Sequence, residues 1–150
     1  MGLNKTDPVR SRNMAAIKSK NTKPEVAVRS GLHAMGYRYY LHRRSLPGSP
    51  DLVFPRRRAV IFVNGCFWHR HNCHLFRWPK TRKKFWFEKI EGNACNDKRN
   101  FASLRKDGWR ILVIWECALK GKTRFPEEQV ILKAAHWLEG KCQFEVIQGR

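Results

Sequence analysis

Apolar residues follow two different periods along this chain, and the period of each segment predicts its secondary structure. Two short runs rich in β-branched residues, DLVF at 51–54 and AVIFVNG at 59–65, are joined by PRRR and predict a β-hairpin. A third apolar run, WRILVIWEC at 109–117, predicts a further strand, and YRYYLHRR at 37–44 predicts a short one.

Other segments carry apolar residues three or four positions apart, the spacing of a helix face. The segment 22–36 begins with Thr22 and Glu25 in the spacing of a capping box. The segment 126–140 begins with a proline and ends with a glycine, which favour a helix start and stop. The longest predicted helix covers 81–107, and its regularly spaced stripe consists of Phe87, Ile90, Ala94, Asp97, Phe101 and Leu104.

The order strand, long helix, strand predicts an α/β fold. Such a unit is normally a right-handed crossover between parallel strands. The strands at 59–64 and 110–115 are therefore expected to end at the same edge of one sheet. Each is followed at once by a cysteine, Cys66 after NG and Cys117 after WE, so the topology brings these two thiols to one edge.

The charge narrows the class of partner. Thirty-one Lys and Arg against twelve Asp and Glu leave a net charge of +19 on 150 residues, which indicates a polyanion, nucleic acid above all. A membrane surface fits less well, because the basic residues are spread along the chain and no apolar run approaches the roughly 18 residues that span a bilayer.

The length predicts a single domain over residues 1–150. Its first twenty residues are polar and basic, and Ser11 can cap a helix over RNMAAIKSK. This segment is either a frayed terminus or an arm that lies on a phosphate backbone, and in the second case Arg10, Arg12 and Lys18 are candidate DNA contacts. The start of the chain lacks the hydrophobic region of a signal peptide, so a cytoplasmic location without disulfides is expected.

The segment GCFWHRHNCHLF predicts a metal site. Cys66, His71 and Cys73 form a C-x4-H-x-C pattern, and thiolate with imidazole is the ligand mixture that Zn²⁺ prefers. The strand-end topology nominates Cys117 as the fourth ligand, with His74 as a local alternative. Four protein ligands close a zinc site, which makes it structural rather than catalytic.

A second pattern indicates phosphodiester hydrolysis. Many metal-dependent nucleases present their first carboxylate after a proline at the head of a strand, and Asp51 holds that place. Mg²⁺ takes oxygen ligands, and the backbone carbonyl of Val63 can supply another. His69 is the candidate general base or acid, with a zinc ligand or a phosphate contact as the alternatives. Asp97 lies on an apolar helix stripe, so it either pairs with a buried arginine or belongs to the metal edge.

Aromatic residues stand beside these candidates. Phe67 and Trp68 lie between the predicted zinc ligand and the predicted catalytic histidine, in a loop too polar to be core. Trp86 stands near the start of the long helix among lysines, where packing into the core is the more common role. Rings beside Arg and Lys suit stacking on bases or insertion into a step of a duplex.

Together these motifs resemble the very short patch repair endonucleases, the Vsr family of bacterial DNA mismatch nickases. The resemblance extends over nearly the whole chain, and the combination of GCFWHxHxC with a later WEC is highly specific. It implies a restriction-endonuclease-like α/β fold of the PD-(D/E)xK type, in which helices flank a mixed sheet. It also implies an enzyme that cuts 5′ to the thymine of a T:G mismatch left by deamination of 5-methylcytosine.

The resemblance also implies roles for individual residues. Asp51 would bind catalytic Mg²⁺ beside the Val63 carbonyl, and His69 would be the catalytic histidine with Glu25 as its supporting acid. Asp97 would stand near the water shell of the metal. The remaining implied sites are the structural zinc ligands Cys66, His71, Cys73 and Cys117, the intercalating rings Phe67, Trp68 and Trp86, and the basic arm. Double-stranded DNA with a T:G mismatch is the expected partner of a monomeric enzyme, with mismatch-repair proteins as further candidates.

One position departs from the family. Asn64 stands where the better-known members carry a second histidine. An amide can hydrogen-bond a phosphate but cannot exchange a proton at neutral pH. The main hypothesis is a Mg²⁺-dependent, zinc-containing mismatch endonuclease. The alternatives are a zinc-containing sensor of DNA distortion that has lost catalysis at Asn64, and an RNA-binding zinc protein.

Overall fold

The computed structural model describes residues 21–150. The helix predicted over RNMAAIKSK and the candidate DNA contacts Arg10, Arg12 and Lys18 lie outside this range. The described part contains a mixed sheet with helices on both faces, which is compatible with a restriction-endonuclease-like fold.

The sheet is built from strands that lie side by side in chain order. They are β1 (Tyr40–Leu41), β2 (Leu52–Phe54), β3 (Ala59–Asn64), β4 (Arg110–Trp115) and β5 (Phe144–Ile147). The pairs β1–β2 and β2–β3 are antiparallel, and the pairs β3–β4 and β4–β5 are parallel.

Both predictions about strand pairing are confirmed. The hairpin of β2 and β3 turns through a short 3-10 helix at Pro55–Arg57, with Arg58 in the left-handed region at φ 50°. The crossover from β3 to β4 is parallel, and Asn64 pairs with Trp115 at the last position of the register. The two strands therefore end at the same edge. The sequence analysis did not predict β5, because the segment FEVI has only four residues, and most of them prove to be exposed.

Three helices cover the two faces of the sheet among the described residues: α1 (Lys23–Ala34), α2 (Lys83–Lys106) and α3 (Glu127–Glu139). Helices α1 and α3 pack on one face, where Leu32 and Leu138 meet Ile61 and Leu112 of the central strands. Helix α2 covers the other face with Leu104, which packs among side chains that alternate with the first set. This arrangement follows from the period of two along each strand, which sends successive side chains to opposite layers.

The stripe predicted for the long helix is buried at some positions and exposed at others. Ile90 and Leu104 are fully buried, as expected. Phe87, however, has 54% of its surface exposed. The Phe87 ring stacks on Trp78 in the loop before the helix instead of packing into the core.

None of the helices within residues 21–150 is both long enough and apolar enough to cross a membrane.

Candidate active site and metal centre

A cleft of about 940 Å³ opens at the edge where β3 ends. Its walls come from the start of α1, the strand ends, the loop after β3 and the first half of α2. The predicted site residues that line it are Glu25, Asp51, Val63, Asn64, Phe67, Trp68, His69, Trp86 and Asp97. The chain thus brings residues from distant segments to one surface.

Asp51 stands just before β2, and the neighbouring strand holds its carboxylate. The backbone N–H of Val63 donates to Asp51 Oδ2 at 2.7 Å, which places the carboxylate beside the Val63 peptide group. Burial raises the pKa of Asp51 to about 7, and the nearby Glu25 carboxylate adds to the rise, while the Val63 hydrogen bond opposes it. A carboxyl with such a pKa favours a cation beside it at neutral pH.

Glu25 does not contact His69 as its supporting acid; it belongs to a different network. Its carboxylate lies 2.5 Å from His42 Nε2 and 2.9 Å from a guanidinium nitrogen of Arg29. The side chain is 2% exposed, so these partners are needed to compensate the buried charge. Glu25, His42 and Asp51 offer ligand atoms within 4.8 Å of one another, and we call this group the carboxylate cluster.

The acid that pairs with His69 is Asp97. Asp97 Oδ2 lies 2.6 Å from His69 Nδ1, and both side chains are about three-quarters covered. The pairing explains the charge on the apolar stripe of α2, because the histidine partner replaces part of the lost hydration. An acid on Nδ1 places the proton there and leaves Nε2 with a free lone pair, which is the form that can accept a proton from water.

Asn64 is the last residue of β3, and it is 5% exposed. Its amide nitrogen is buried, and no other group among the described residues accepts a hydrogen bond from it. An unused buried donor is costly, by about 1–3 kcal/mol. Because Asn64 lines the cleft, this donor is available to a bound anion.

Phe67, Trp68 and Trp86 form one aromatic cluster. Their ring centroids lie 5.1 Å (Phe67–Trp68), 5.5 Å (Phe67–Trp86) and 5.8 Å (Trp68–Trp86) apart. The expectation that the polar loop keeps its rings out of the core is wrong for Trp68, which is 9% exposed. The loop becomes partly core because α2 covers it, and Asn93 of that helix donates to the Trp68 carbonyl at 3.0 Å.

The predicted metal ligands lie together beside this cleft. Single ligand atoms of Cys66, His71, Cys73 and Cys117 all lie within 4.8 Å of one another, and we call this group the cysteine–histidine cluster. His71 Nδ1 is 3.6 Å from the sulfurs of both Cys66 and Cys117. Ligands at Zn–S and Zn–N bond lengths on a tetrahedron stand about 3.6 Å apart, so the spacing fits a metal ion in the middle. His74, the local alternative, is not a member of the cluster.

Neighbouring groups orient these ligands. Gln148 Oε1 lies 2.8 Å from His71 Nε2, which fixes the proton on Nε2 and directs Nδ1 toward the sulfurs. The His71 ring also stacks on Trp115 at 4.2 Å. Burial raises the pKa of the Cys66 and Cys117 thiols, so a cation is required to hold them as thiolates. The donor set and its spacing therefore suit a structural metal.

Comparison with known proteins supplies the identity of the chain's family. The family model of the DNA mismatch endonuclease Vsr matches residues 4–75. The DNA mismatch endonuclease Vsr of Escherichia coli K12 is 42% identical over 132 residues, which cover 88% of this chain and 85% of that protein. The chain belongs to the Vsr family of DNA mismatch endonucleases. The predicted enzyme class, a nicking endonuclease, is confirmed with it.

Further Vsr relatives are named as nicking enzymes. The type II nicking enzyme V.XorIIP of Xanthomonas oryzae pv. oryzae is 55% identical over 71% of this chain and 78% of its own length. The type II nicking enzyme V.NmeAIP of Neisseria meningitidis is 43% identical over 78% of this chain and 84% of its own length.

Two residues of this Vsr-family site escaped sequence reasoning. His42 lay in a segment that was predicted to be a strand, but β1 ends at Leu41. The backbone N–H of His42 donates to the backbone carbonyl of Asp51 at 3.1 Å. Pairing the short strand with β2, Leu41 against Leu52, is the signal that could have placed it opposite Asp51. Gln148 carried no such signal, because it contacts His71 from the end of a strand that the pattern did not predict.

Proposed function

We propose that this protein is a Mg²⁺-dependent endonuclease that nicks duplex DNA 5′ to the thymine of a T:G mismatch of the kind left by deaminated 5-methylcytosine. The observation that carries the proposal is the meeting of Asp51 and the His69–Asp97 pair in one cleft of a Vsr-family chain. A protein that only bound DNA would need neither a buried carboxylate of raised pKa nor an oriented imidazole.

His69 acts as the general base in this scheme. Nε2 takes a proton from the attacking water while Nδ1 keeps its hydrogen bond to Asp97, which stabilises the imidazolium that forms. The water oxygen bonds to phosphorus, the P–O bond to the leaving part of the strand breaks, and the departing oxygen takes a proton from solvent to leave as an alcohol. Asp97 is the positioning residue of this pair, since it acts through His69.

Asp51 and the carbonyl of Val63 would hold Mg²⁺, and Glu25 is the second carboxylate near that position. The oxygens suit this ion, because Mg²⁺ prefers carboxylate and carbonyl ligands together with water. The ion would supply neutralisation of charge on the phosphate as the phosphodiester is attacked. The raised pKa of Asp51 supports the assignment, because a bound cation removes the cost of its ionisation at neutral pH.

Asn64 provides a hydrogen bond to the scissile phosphate in place of the histidine of other family members. Its support is the buried amide nitrogen that has no acceptor within residues 21–150. The amide carries no proton that it could release at neutral pH, so His69 is left to perform the proton transfer.

The contacts with DNA divide between charge and rings. The net charge of +19 and the basic segment containing Arg10, Arg12 and Lys18 favour binding to the phosphate backbone. The aromatic cluster provides rings that intercalate beside the mismatch. Because Trp68 is buried, the half-buried rings of Phe67 and Trp86 would be the first to meet a base step, and Trp68 supports them by ring contacts.

Zn²⁺ is the proposed metal of the cysteine–histidine cluster, since three thiolates and one imidazole form one of its common ligand sets. The ion ties the loop after β3 to the end of β4, and through Gln148 to the end of β5. The loop carries Phe67, Trp68 and His69, so the ion would position these three residues without entering the reaction.

A nicking assay on a T:G duplex tests the function. Wild-type protein with Mg²⁺ is expected to cut the thymine-containing strand 5′ to the thymine and to leave a matched T:A duplex intact. An Asp51→Ala variant should bind the mismatch and not cut it. Cutting of matched and mismatched duplexes at the same rate, or cutting without a divalent metal, contradicts the proposal.

The second candidate function is a zinc-containing sensor of DNA distortion without catalysis. Asn64 is the observation that favours it, because this amide stands where the family carries a histidine. An Asn64→His variant separates the two candidates. If the wild type binds mismatches without nicking and the variant nicks them, the sensor is correct; if both nick, the enzyme is correct.

We further propose that residues 1–150 act as a single monomeric domain in the bacterial cytoplasm, close to the nucleoid when bound to DNA. Its basic first twenty residues would act as the arm that grips the duplex. Mismatch-repair proteins are candidate partners in the same pathway.

A further inference from the structure

We propose that a stacked ring pair outside the cleft, Trp78 and Phe87, is a second DNA contact that binds one unpaired base. The inference rests on the proposed function, which supplies an opened duplex. It adds a site that differs in position and in ligand from the aromatic cluster, because it takes a base that has left the stack instead of opening a base step.

The two rings present an unusual exposed surface. Their centroids lie 5.6 Å apart with 29° between the planes, so they form an offset stack. Trp78 is 41% exposed and Phe87 is 54% exposed. Rings of this size normally lose most of their surface on folding. A contiguous pair of exposed rings therefore marks a candidate contact site on the protein surface.

The pair continues from the aromatic cluster without a gap. Phe76 lies 5.0 Å from Trp78 on one side and 6.0 Å from Phe67 on the other. The row of rings therefore runs from the cleft, through Phe67 and Phe76, to the exposed stack at the start of α2. A strand of DNA opened at the cleft has a continuous stacking surface along which to leave the duplex.

The surrounding charge selects nucleic acid as the occupant. The segment 70–87 contains no Asp or Glu, and its basic residues are Arg70, Arg77, Lys80, Arg82, Lys83 and Lys84. The Arg70 guanidinium lies 5.8 Å from the centre of the Trp78 ring, and that of Arg82 lies 4.4 Å from the ring of Phe85, itself 43% exposed. Aromatic rings beside cations are the combination by which proteins bind the bases and the phosphates of a single strand.

An unpaired base fits better than an intact duplex. In a duplex both faces of each base are covered by its neighbours, so an external ring has no free face to stack on. Insertion of rings at the mismatch unstacks the adjacent nucleotide and exposes such a face. Stacking on aromatic side chains is independent of base identity, since every base has a π face.

Two substitutions at one position separate stacking from packing. Trp78→Leu keeps apolar bulk and removes the aromatic face, whereas Trp78→Phe keeps a ring. We expect Trp78→Leu to weaken binding of a dT12 oligonucleotide about tenfold, with an unchanged melting temperature, and Trp78→Phe to stay within about threefold of wild type. Leu132→Ala is the matched control, because Leu132 is 57% exposed on α3 and belongs to a different surface.

The position of the bound base is measured with 2-aminopurine, placed next to the mismatch of a T:G duplex. Quenching of its fluorescence in wild-type protein, lost in Trp78→Leu and kept in Trp78→Phe, supports the inference. Equal dT12 affinities for wild type and Trp78→Leu overturn it. A lower melting temperature and the same loss of binding in both Trp78 variants also overturn it, because the pair would then only anchor the loop to α2.

The two proposals fail in different ways. If wild-type protein nicks the T:G duplex and Trp78→Leu binds dT12 normally, the ring site is wrong and the enzyme stands. If wild-type protein nicks no mismatch but Trp78→Leu loses dT12 binding, the ring site stands and the mismatch function is wrong.

Discussion

The cysteine–histidine cluster and the carboxylate cluster lie at the same edge of the sheet, but they differ in how their ligand atoms are enclosed. The first is a closed set of ligands, whereas the second is open to the cleft at Asp51. In the first, four soft ligands converge on one point, and neighbouring groups such as Gln148 direct His71 toward it. In the second, two carboxylates share His42 while Asp51 remains 20% exposed toward the cleft.

This difference is the one expected between a structural metal site and a reactive one. A closed ligand set leaves no position for a substrate, so its binding energy stabilises the fold. Burial leaves Asp51 with a raised pKa, so its ionised form is unfavourable until a cation binds beside it. The substitutions below test this contrast, beginning with the largest expected effect.

Removal of one thiol should destabilise the whole edge. Cys117→Ala leaves three ligands, one of which is the buried thiol of Cys66, so we expect loss of stoichiometric zinc and a fall of about 4–5 kcal/mol in the free energy of unfolding. Metal analysis and urea denaturation measure both. Cys95→Ala is the control, because Cys95 is exposed on α2, and it should change neither quantity. Unchanged zinc in Cys117→Ala would remove this residue from the site.

Asp51→Asn should abolish most nicking without unfolding the protein. The loss of a metal ligand removes about 4 kcal/mol of transition-state stabilisation, or roughly 1000-fold in rate. Affinity for mismatched DNA should stay equal or rise, because a negative charge near the phosphates is removed. Single-turnover nicking and equilibrium binding separate the effects. A parallel loss of binding would show that Asp51 acts in recognition instead.

Asp97→Asn should lower the nicking rate about 100-fold, since an amide no longer stabilises the His69 imidazolium or holds its tautomer. Single-turnover nicking at saturating protein measures the rate, and equilibrium binding measured in parallel separates it from a change of affinity. Asp107→Asn, at the exposed end of α2, is the matched control and should leave the rate intact. An Asp97→Asn rate equal to that of the wild type contradicts the pairing.

The pKa of Asp51 predicts a pH dependence for metal-free protein. Folding raises this pKa from 3.8 to about 7, so the folded state binds the proton more tightly than the unfolded state. The stabilising contribution is full below about pH 4 and is lost as the pH rises through 7. Asp51→Asn should therefore flatten the fall in unfolding free energy between these values. The affinity for Mn²⁺, measured by electron paramagnetic resonance, should increase from pH 6 to 8 in the wild type and not in Asp51→Asn.

The smallest effect is expected at His42. His42→Ala removes one partner of a buried carboxylate, which should lower the free energy of unfolding by about 1–2 kcal/mol because Glu25 keeps Arg29. His42→Gln keeps a donor and should lose less. Thermal denaturation of the two variants measures the difference. Equal losses of unfolding free energy in the two variants would show that the imidazole contributes by packing and not by its hydrogen bond to Glu25.

Much of the cysteine–histidine cluster was predictable because its members obey two local rules. Three ligands fall in one short motif, and the fourth follows a strand whose parallel pairing with β3 is a general property of crossover units. The hairpin of β2 and β3 followed in the same way from composition and turn residues. No comparable local rule places Glu25, His42 and Asp51 together, since they come from a helix, a strand end and a turn.

The individual errors have physical causes of the same kind. Trp68 was expected outside the core because its neighbours in sequence are polar, but burial depends on α2, which crosses above it. Phe87 was expected inside because it continues a stripe, but its ring stacks on Trp78 of the preceding loop and remains exposed. Glu25 was assigned to His69, while packing places Asp97 at that ring.

The sequence by itself determined the fold class, the preference for a polyanionic partner, the family and the ligands of the cysteine–histidine cluster, because each of these follows from periodicity, charge or a short motif. The tertiary structure alone decided which acid pairs with which histidine, where the rings are exposed and how far Asp51 is buried. These properties depend on distances between segments that are remote in the chain, and a few ångströms of packing change them without any change in the local pattern.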